Sequence, residues 1–157
     1  MEKKFYLTQK GLEKIKKEYK GLLEFRASKT KGEVPKIWQS EDVNPEYLSF
    51  QEDMGFLESR IAELENILKN VEIIKTPPKD RRNVVDYGAV VTLEEPSGHI
   101  NEFMIVGTLE ANPYEGKISS ESPVGRALLG KRVGDEVVIT SPIKVVYRVK
   151  KIRYQLS

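Results

Sequence analysis

Cysteine is absent from the 157-residue chain, and histidine occurs only once, at His99. Without cysteine the chain has no disulfide, no thiol nucleophile and no cysteine-based metal site. A single histidine excludes a histidine-rich metal site and argues against a serine–histidine–aspartate triad. Any metal bound by this chain would therefore be held by carboxylates, which are the oxygen ligands that hard cations prefer.

Long hydrophobic runs are missing as well. The chain has no run of about 18 apolar residues, so the sequence predicts no membrane span and no membrane partner. Charged residues make up 32% of the chain and apolar residues 39%, which is typical of a water-soluble protein with a buried core. The length fits one ordinary domain or two small ones. We expect a cytoplasmic protein, and because nothing in the sequence demands an oligomer, we expect a monomer.

The net charge of +2 conceals an uneven distribution. Residues 3–36 carry 11 lysines and arginines against 4 acidic residues, whereas residues 41–72 carry 2 basic residues against 9 acidic ones. Two interpretations remain open. The two segments pack together and neutralise each other, or the basic segment presents a stripe of cations to a nucleic-acid backbone.

The spacing of apolar residues predicts two long helices in the first half. The first helix begins at Gln9 with Thr8 as its cap, and its apolar face is formed by Leu12, Ile15, Tyr19 and Leu22. The second begins at Pro45 with Asn44 as its cap and Glu46 in the first turn. Its apolar residues follow a heptad rhythm at Met54, Leu57, Ile61, Leu64 and Leu68. Residues 45–70 would form a rod about 39 Å long, and two such helices predict an antiparallel coiled-coil hairpin.

The second half has a different periodicity. After a segment with two consecutive prolines, Pro77 and Pro78, apolar residues alternate with polar ones. This pattern predicts strands at residues 89–93, 102–106, 136–140 and 145–152, and a short helix at residues 124–129. We therefore predict an α+β protein, with a two-helix coiled-coil domain at residues 1–75, a linker at 76–82 and an antiparallel sheet domain with one short helix at 83–157.

Segments in both halves resemble one known family. The C-terminal half contains YGAVVTLEE, FMIVGTLEAN, KISSESPVGRALLGKRVGDEVVI and, in the last strand, KKIRY. The N-terminal half contains LTQKGLEKI and GFLESRI. In order and spacing these segments resemble the Gre transcript-cleavage factors of bacteria, and the resemblance spans nearly the whole chain. It implies that the C-terminal domain has a fold similar to FKBP prolyl isomerases.

The resemblance also implies a function. Factors of this family bind RNA polymerase, with the globular domain at the rim of the secondary channel and the coiled coil inside it. The acidic tip reaches the polymerase active site, helps hold a second Mg²⁺ and orients a water. The polymerase then cleaves the extruded 3′ end of backtracked nascent RNA. The resemblance thus implies an accessory factor that is not itself an enzyme, has no cofactor of its own and shares Mg²⁺ with the polymerase.

The expected tip departs from the family pattern. The usual tip reads D-L-x-E-N-A-E-Y, whereas residues 40–47 read SEDVNPEY. Aligned without a gap, Ser40 and Val43 occupy the positions of the two important acids. A gapped placement lets Glu41 or Asp42 stand in for them. We therefore expect Glu41 and Asp42 to be the catalytic acids and the ligands of the shared Mg²⁺.

Other candidate residues follow from the same resemblance. Glu46 matches a family position, although the helix dipole alone explains an acid there. Ser122, Pro123 and Val124 match the loop that docks on polymerase, but Ser-Pro is also an ordinary helix start. The candidates for facing the extruded RNA are Lys14, Lys16, Lys17, Lys20 and Arg26, and a solvated charged helix face explains them equally well. Trp38 stacks on a base, wedges into a protein partner or joins a local apolar cluster.

Three classes of function remain open after this comparison. The protein is a cleavage factor, or a channel-binding regulator that does not cleave, or a prolyl isomerase. Val43 at the family's glutamate position favours the second class, and the retained acids Glu41 and Asp42 favour the first. The third class rests on similarity of fold, which does not carry function.

Overall fold

The computed structural model describes residues 3–31, 45–140 and 143–154. Its contacts divide the chain into two compact units. One unit is Glu13–Asn70, which we call the helical unit. The other combines Met1–Leu12 with Val71–Ser157, and we call it the sheet unit. The extent of these units differs from the predicted ranges, because the start of the chain belongs with the C-terminal half.

Two long helices, α1 (Gln9–Lys31) and α2 (Pro45–Lys69), supply the helical unit. Hydrogen bonds join Tyr19 to Glu65 and Arg26 to Glu58, so residue numbers rise along α1 as they fall along α2. The helices are therefore antiparallel, as predicted. The buried side chains of α2 are Leu57, Ile61, Leu64 and Ile67. Of the predicted apolar face, Met54 and Leu68 are only half-buried.

A pair of three-residue strands explains why the chain start belongs to the sheet unit. Strand β1 (Phe5–Leu7) runs parallel to β2 (Val71–Ile73), with Phe5 opposite Val71 and Leu7 opposite Ile73. Ile74 extends the pairing, because its N–H donates to the carbonyl of Leu7 at 2.8 Å. Sequence analysis did not predict these strands, since three residues are too few to show an alternating pattern.

The rest of the sheet unit is a five-stranded sheet with one short helix. Its elements are β3 (Ala89–Glu94), β4 (Ile100–Val106), β5 (Lys117–Ser119), α3 (Pro123–Leu128), β6 (Glu136–Ile139) and β7 (Val145–Tyr154). The strand order is β5-β4-β3-β7-β6. The four predicted strands and the predicted helix are present. The FKBP resemblance stays a prediction.

The prediction of a purely antiparallel sheet is wrong at one edge. Strand β5 pairs with β4 in parallel, with Ile105 opposite Ile118, whereas the other pairs of this sheet are antiparallel. Two parallel strands need a crossover between them. Here it contains the short 3-10 turns Thr108–Glu110 and Pro113–Glu115, which bring the chain back to run in the direction of β4.

The core of the sheet unit lies between one face of the sheet and α3. Burial alternates along β3, where Ala89, Val91 and Leu93 have no exposed surface, and Leu128 of α3 packs against the same cluster. Gly125 allows α3 to approach β5, because a Cβ atom there would collide with the carbonyl oxygen of Ser119. In the part of the chain that the structure describes, no helix is long and apolar enough to cross a membrane.

Candidate functional site

The expected acidic tip is described only from Pro45 onward. Glu46 lies in the first turn of α2 with its side chain exposed, where a carboxylate interacts favourably with the positive end of the helix dipole. One residue on, the Tyr47 hydroxyl accepts a hydrogen bond from Gln51 Nε2 at 3.2 Å. The predicted acids Glu41 and Asp42, like Trp38, Ser40, Val43 and Asn44, lie outside the described residues. Their roles stay predictions.

Metal binding by the described residues alone is limited. Within residues 3–31, 45–140 and 143–154 no group of three or more histidine, aspartate or glutamate side chains is close enough to share an ion. Mg²⁺ retains several waters and needs only one or two carboxylates when other groups complete its coordination. In the first turn of α2, Glu46 offers one such carboxylate. A shared metal would therefore need further ligands beyond Glu46.

Four of the five basic candidates on α1 face solvent. Lys14, Lys16, Lys17 and Lys20 are exposed, and no carboxylate of the described part of the chain forms an ion pair with them. At 100° per residue they cover the outer half of the helix. The fifth candidate differs, because Arg26 is half-buried and its Nη1 lies 3.1 Å from Glu58 Oε2 on α2. The structure thus separates Arg26 from the exposed lysines.

Polar contacts join the two helices on both flanks of their apolar seam. Arg60 of α2 donates to both carboxylate oxygens of Glu18 at 2.7 and 3.0 Å, and it also contacts Glu63 at 3.2 Å. The hydrogen bond with Glu18 raises the pKa of Arg60 above its ordinary value. On the other flank, Tyr19 donates to Glu65 at 3.0 Å, and this hydrogen bond raises the pKa of the Tyr19 hydroxyl. These contacts hold the helices in one register.

The second candidate surface is the loop that begins α3. The Ser122 hydroxyl accepts from the Gly125 N–H at 3.0 Å and donates to the Ser119 carbonyl at 2.7 Å, so it acts as a helix cap. Val124 packs partly against the core, whereas Pro123 is exposed. Of the three predicted docking residues, Pro123 therefore presents the most accessible surface.

Glu121 precedes this loop and is held by two partners. Its carboxylate lies 3.2 Å from Lys3 Nζ and accepts from the Thr108 hydroxyl at 3.1 Å. The hydrogen bond from Lys3 lowers the pKa of Glu121, and the hydrogen bond from Thr108 adds to the effect. The loop before α3 is thereby connected to the N-terminal strand region.

A groove in the sheet unit was missed by sequence analysis. It has a volume of about 500 Å³, and its walls include Phe5, Tyr6, Tyr87, Leu109 and Glu121. The Tyr6 and Tyr87 rings stack with centroids 4.2 Å apart. The sequence feature that corresponds to this groove is Gly107. A Cβ atom there would collide with the Tyr6 carbonyl oxygen, so only glycine permits this close approach.

Glu110 fixes the first turn of α1 within the sheet unit. Its carboxylate accepts from the Thr8 N–H at 2.6 Å and from the Thr8 hydroxyl at 2.7 Å. The Thr8 hydroxyl in turn accepts from the Gly11 N–H at 3.1 Å, which confirms the predicted cap. A negative carboxylate at this end also suits the helix dipole. This contact connects residues 102 positions apart.

Comparison with protein families gives two matches that together cover most of the chain. Residues 5–73 match the family model "Transcription elongation factor, N-terminal". Residues 79–154 match "Transcription elongation factor, GreA/GreB, C-term". The two matches follow one another in the order that the Gre resemblance implies.

Individual relatives agree with the family matches. The transcription elongation factor GreA of Thermomicrobium roseum is 41% identical over 138 residues, covering 87% of this chain and 88% of the relative. GreA of Shouchella clausii is 40% identical over 144 residues, covering 90% of both chains. Among solved structures, GreA factor homolog 1 of Thermus thermophilus is 31% identical, with a TM-score of 0.43 and coverage of 96% of this chain and 99% of that chain. On the strength of the two family matches and the identities to the two GreA relatives, the chain belongs to the GreA/GreB family of transcription elongation factors.

Proposed function

We propose that the protein binds bacterial RNA polymerase in its secondary channel and stimulates cleavage of backtracked nascent RNA by the polymerase's own active site. The observation that carries this proposal is the ordered match of both family domains over residues 5–73 and 79–154. The protein is then an accessory factor and not an enzyme in its own right. Its partners are RNA polymerase and the 3′ end of the nascent RNA, and it acts as a monomer.

The helical unit is suited to carry a tip into a narrow channel. Helix α2 has 25 residues, which corresponds to about 37 Å at 1.5 Å per residue. The buried seam of α2 and the flanking contacts Glu18–Arg60 and Tyr19–Glu65 keep the two helices aligned. Alignment matters because a misplacement of about 1 Å at a reacting centre can lower a rate by about a hundredfold.

The factor itself needs to contribute few chemical groups to the cleavage reaction. A second Mg²⁺ in the polymerase active site would stabilise the attacking and leaving oxygens of the phosphoryl displacement. Glu41 and Asp42 are the proposed ligands, with Glu46 at the start of α2 as a weaker candidate. The exposed lysines of α1 would lie near the phosphates of the extruded RNA, namely Lys14, Lys16, Lys17 and Lys20.

The sheet unit is proposed to dock at the rim of the channel through the loop before α3. Its exposed contact is Pro123, and Ser122 and Val124 hold that residue in place through the cap and the core. Binding of the intact protein to core polymerase tests this step. We expect saturable binding that weakens when Pro123 is replaced by glutamate, and the absence of any binding by the wild type would refute the proposed function.

A second function is favoured by one specific observation. Val43 stands at the position where the family's tip carries a glutamate, and a valine cannot bind Mg²⁺. In this alternative the protein docks in the channel and modulates or inhibits polymerase without promoting cleavage. The two functions separate in one experiment on a backtracked complex, because both predict binding but only the first predicts faster RNA cleavage.

A further inference from the structure

A short turn of the sheet unit is rich in basic residues. It is the 3-10 turn Lys79–Arg81, which is followed by Arg82, so three of four consecutive residues are cations. All four side chains are exposed, and no residue of the turn is buried. Because the turn contributes no side chain to the core, packing does not explain its sequence.

Arg132 adds a fourth cation to the same surface. The backbone at Arg132 forms an antiparallel bridge with Val84, which lies two residues after the turn's last arginine. With its side-chain amide oriented to suit both neighbours, Asn83 accepts from Arg132 Nη1 at 3.1 Å and donates to the Asp80 carbonyl at 3.3 Å. The Arg132 guanidinium therefore lies beside the turn. We call the four cations the basic patch, namely Lys79, Arg81, Arg82 and Arg132.

The basic patch has an excess of positive charge. Residues 79–86 and 131–135 together carry five cations and three carboxylates, which leaves an excess of two positive charges. Two of the carboxylates accept backbone hydrogen bonds, Asp86 from the Tyr87 N–H at 2.7 Å and Asp135 from the Arg132 N–H at 2.8 Å. In the described part of the chain, no cation of the patch forms an ion pair. Such a surface attracts polyanions.

The two partly fixed arginines suit phosphate oxygens. A guanidinium group is a planar fork of N–H donors that matches phosphate geometry. Arg82 Nε donates to the Pro77 carbonyl at 2.9 Å, and Arg132 Nη1 donates to Asn83. These contacts orient both guanidinium groups and leave their other N–H groups for a ligand. Less ordering is then needed when a phosphate binds.

The residue types favour a nucleic-acid duplex over a single strand or a protein. Proteins that hold single strands stack the bases on aromatic side chains. Residues 79–86 and 131–135 contain no aromatic residue, and the ring of Tyr87 next to them stacks on Tyr6. A protein interface has an apolar centre, whereas Val133 is the one exposed large apolar side chain of these two segments. Cations without such groups are typical of contacts to a duplex backbone.

We propose that the basic patch binds the phosphate backbone of double-stranded DNA without reading its sequence. Arg82 and Arg132 bind phosphate oxygens directly, and Lys79 and Arg81 add positive charge beside them. The patch uses none of the residues proposed for transcript cleavage or for docking on polymerase. It is a further binding site, and its test needs no polymerase.

Fluorescence anisotropy with a labelled duplex tests this proposal on the full chain. At about 50 mM salt we expect the wild type to bind the duplex, and its affinity should fall as salt is added. Lys79→Gln/Arg81→Gln removes two cations whose side chains form no hydrogen bond within the described part of the chain. It should keep the wild-type melting temperature, bind about tenfold more weakly and lower the salt slope by about 2. Arg82→Lys/Arg132→Lys keeps the charge and the salt slope but should bind about threefold more weakly.

The charge-matched control is Lys144→Gln/Lys151→Gln. Both lysines are exposed on the sheet unit and lie outside the patch. This variant should change the affinity by less than about twofold. Equal weakening in the control and in Lys79→Gln/Arg81→Gln would show diffuse attraction and overturn the patch. Tighter patch-dependent binding of single-stranded RNA, or of polyglutamate, would overturn the choice of duplex DNA. Absence of duplex binding by the wild type would overturn the proposal too, and it would leave the proposed function unaffected.

Discussion

Arg60 and Glu18 meet across the two antiparallel helices in a bidentate ion pair, with nitrogen–oxygen distances of 2.7 and 3.0 Å. The pair reverses the overall charge pattern, because the cation comes from the acidic α2 and the carboxylate from the basic α1. It therefore specifies one register of the two helices. Charge neutralisation between the basic and the acidic segment explains the Arg26–Glu58 ion pair directly. It does not account for the exposed lysines of α1, which form no ion pair within the described part of the chain.

Replacing Glu18 by glutamine should destabilise the helical unit modestly. Both side chains of the pair are about 40% exposed, so solvent and salt screen the interaction. We expect a loss of about 0.5 kcal/mol in the free energy of unfolding. A double-mutant cycle with Arg60→Gln, measured by urea denaturation at low and high salt, gives the coupling energy. A coupling that is zero at low salt would contradict a register role for this pair.

Gly125→Ala should be one of the most damaging small substitutions in the chain. The added methyl group would collide with the carbonyl oxygen of Ser119, and because the colliding atoms belong to the backbone, no side-chain rotation can relieve the collision. We expect a loss of about 3 kcal/mol, at the upper end for overpacking. Gly55→Ala is the control, because no atom lies within 4 Å of its Cβ position. That variant should gain about 0.5–1 kcal/mol, and equal effects in the two variants would refute the close packing of α3.

Tyr154→Phe tests the connection between the last strand and the segment before β3. The Tyr154 hydroxyl donates to the Val84 carbonyl and accepts from the Asp86 N–H at 3.0 Å. Removing the hydroxyl leaves both groups without this partner, so we expect a loss of about 1–3 kcal/mol by thermal denaturation. A loss below 0.5 kcal/mol would mean that water replaces the hydroxyl at no cost.

The same tyrosine gives a prediction about alkaline pH. Burial raises the pKa of Tyr154 above the ordinary value of 10.0. Because the folded state favours the neutral hydroxyl, its contribution is complete below pH 10 and falls as pH rises through the raised pKa. The wild type should lose stability over this range more steeply than Tyr154→Phe. Parallel curves for the two proteins between pH 9 and 11 would contradict the raised pKa.

Substitutions in the loop before α3 should separate folding from binding. Ser122→Ala removes the cap and should cost about 1 kcal/mol of stability. Pro123→Glu leaves the cap and the core unchanged, so we expect little change in melting temperature but weaker binding to core polymerase. If Pro123→Glu binds like the wild type while folding normally, Pro123 does not lie in the docking surface.

Sequence patterns predicted those helices and strands that are determined by residues close together in the sequence. Thr8 caps α1 and Pro45 begins α2, because a cap and a first-turn proline act within four residues. The alternation of apolar and polar residues predicted strand β3 for the same reason.

Long-range pairings were beyond prediction. β1, β2 and β5 have three residues each, which is too short for a period to appear, and β1 pairs with β2 across 66 positions, with Phe5 opposite Val71. The Glu110–Thr8 contact connects residues 102 positions apart and leaves no local signal. Part of the candidate site, Glu41 and Asp42, rests on the family resemblance alone.

Transcript cleavage in a stalled, backtracked complex of polymerase with Mg²⁺ tests the central claim most directly. The wild type is compared with Glu41→Ala/Asp42→Ala, and binding of both proteins to the polymerase is measured in parallel. We predict that the wild type accelerates cleavage and that the double variant binds equally well without accelerating it. Wild-type binding without faster cleavage would contradict the account and identify a channel-binding regulator instead.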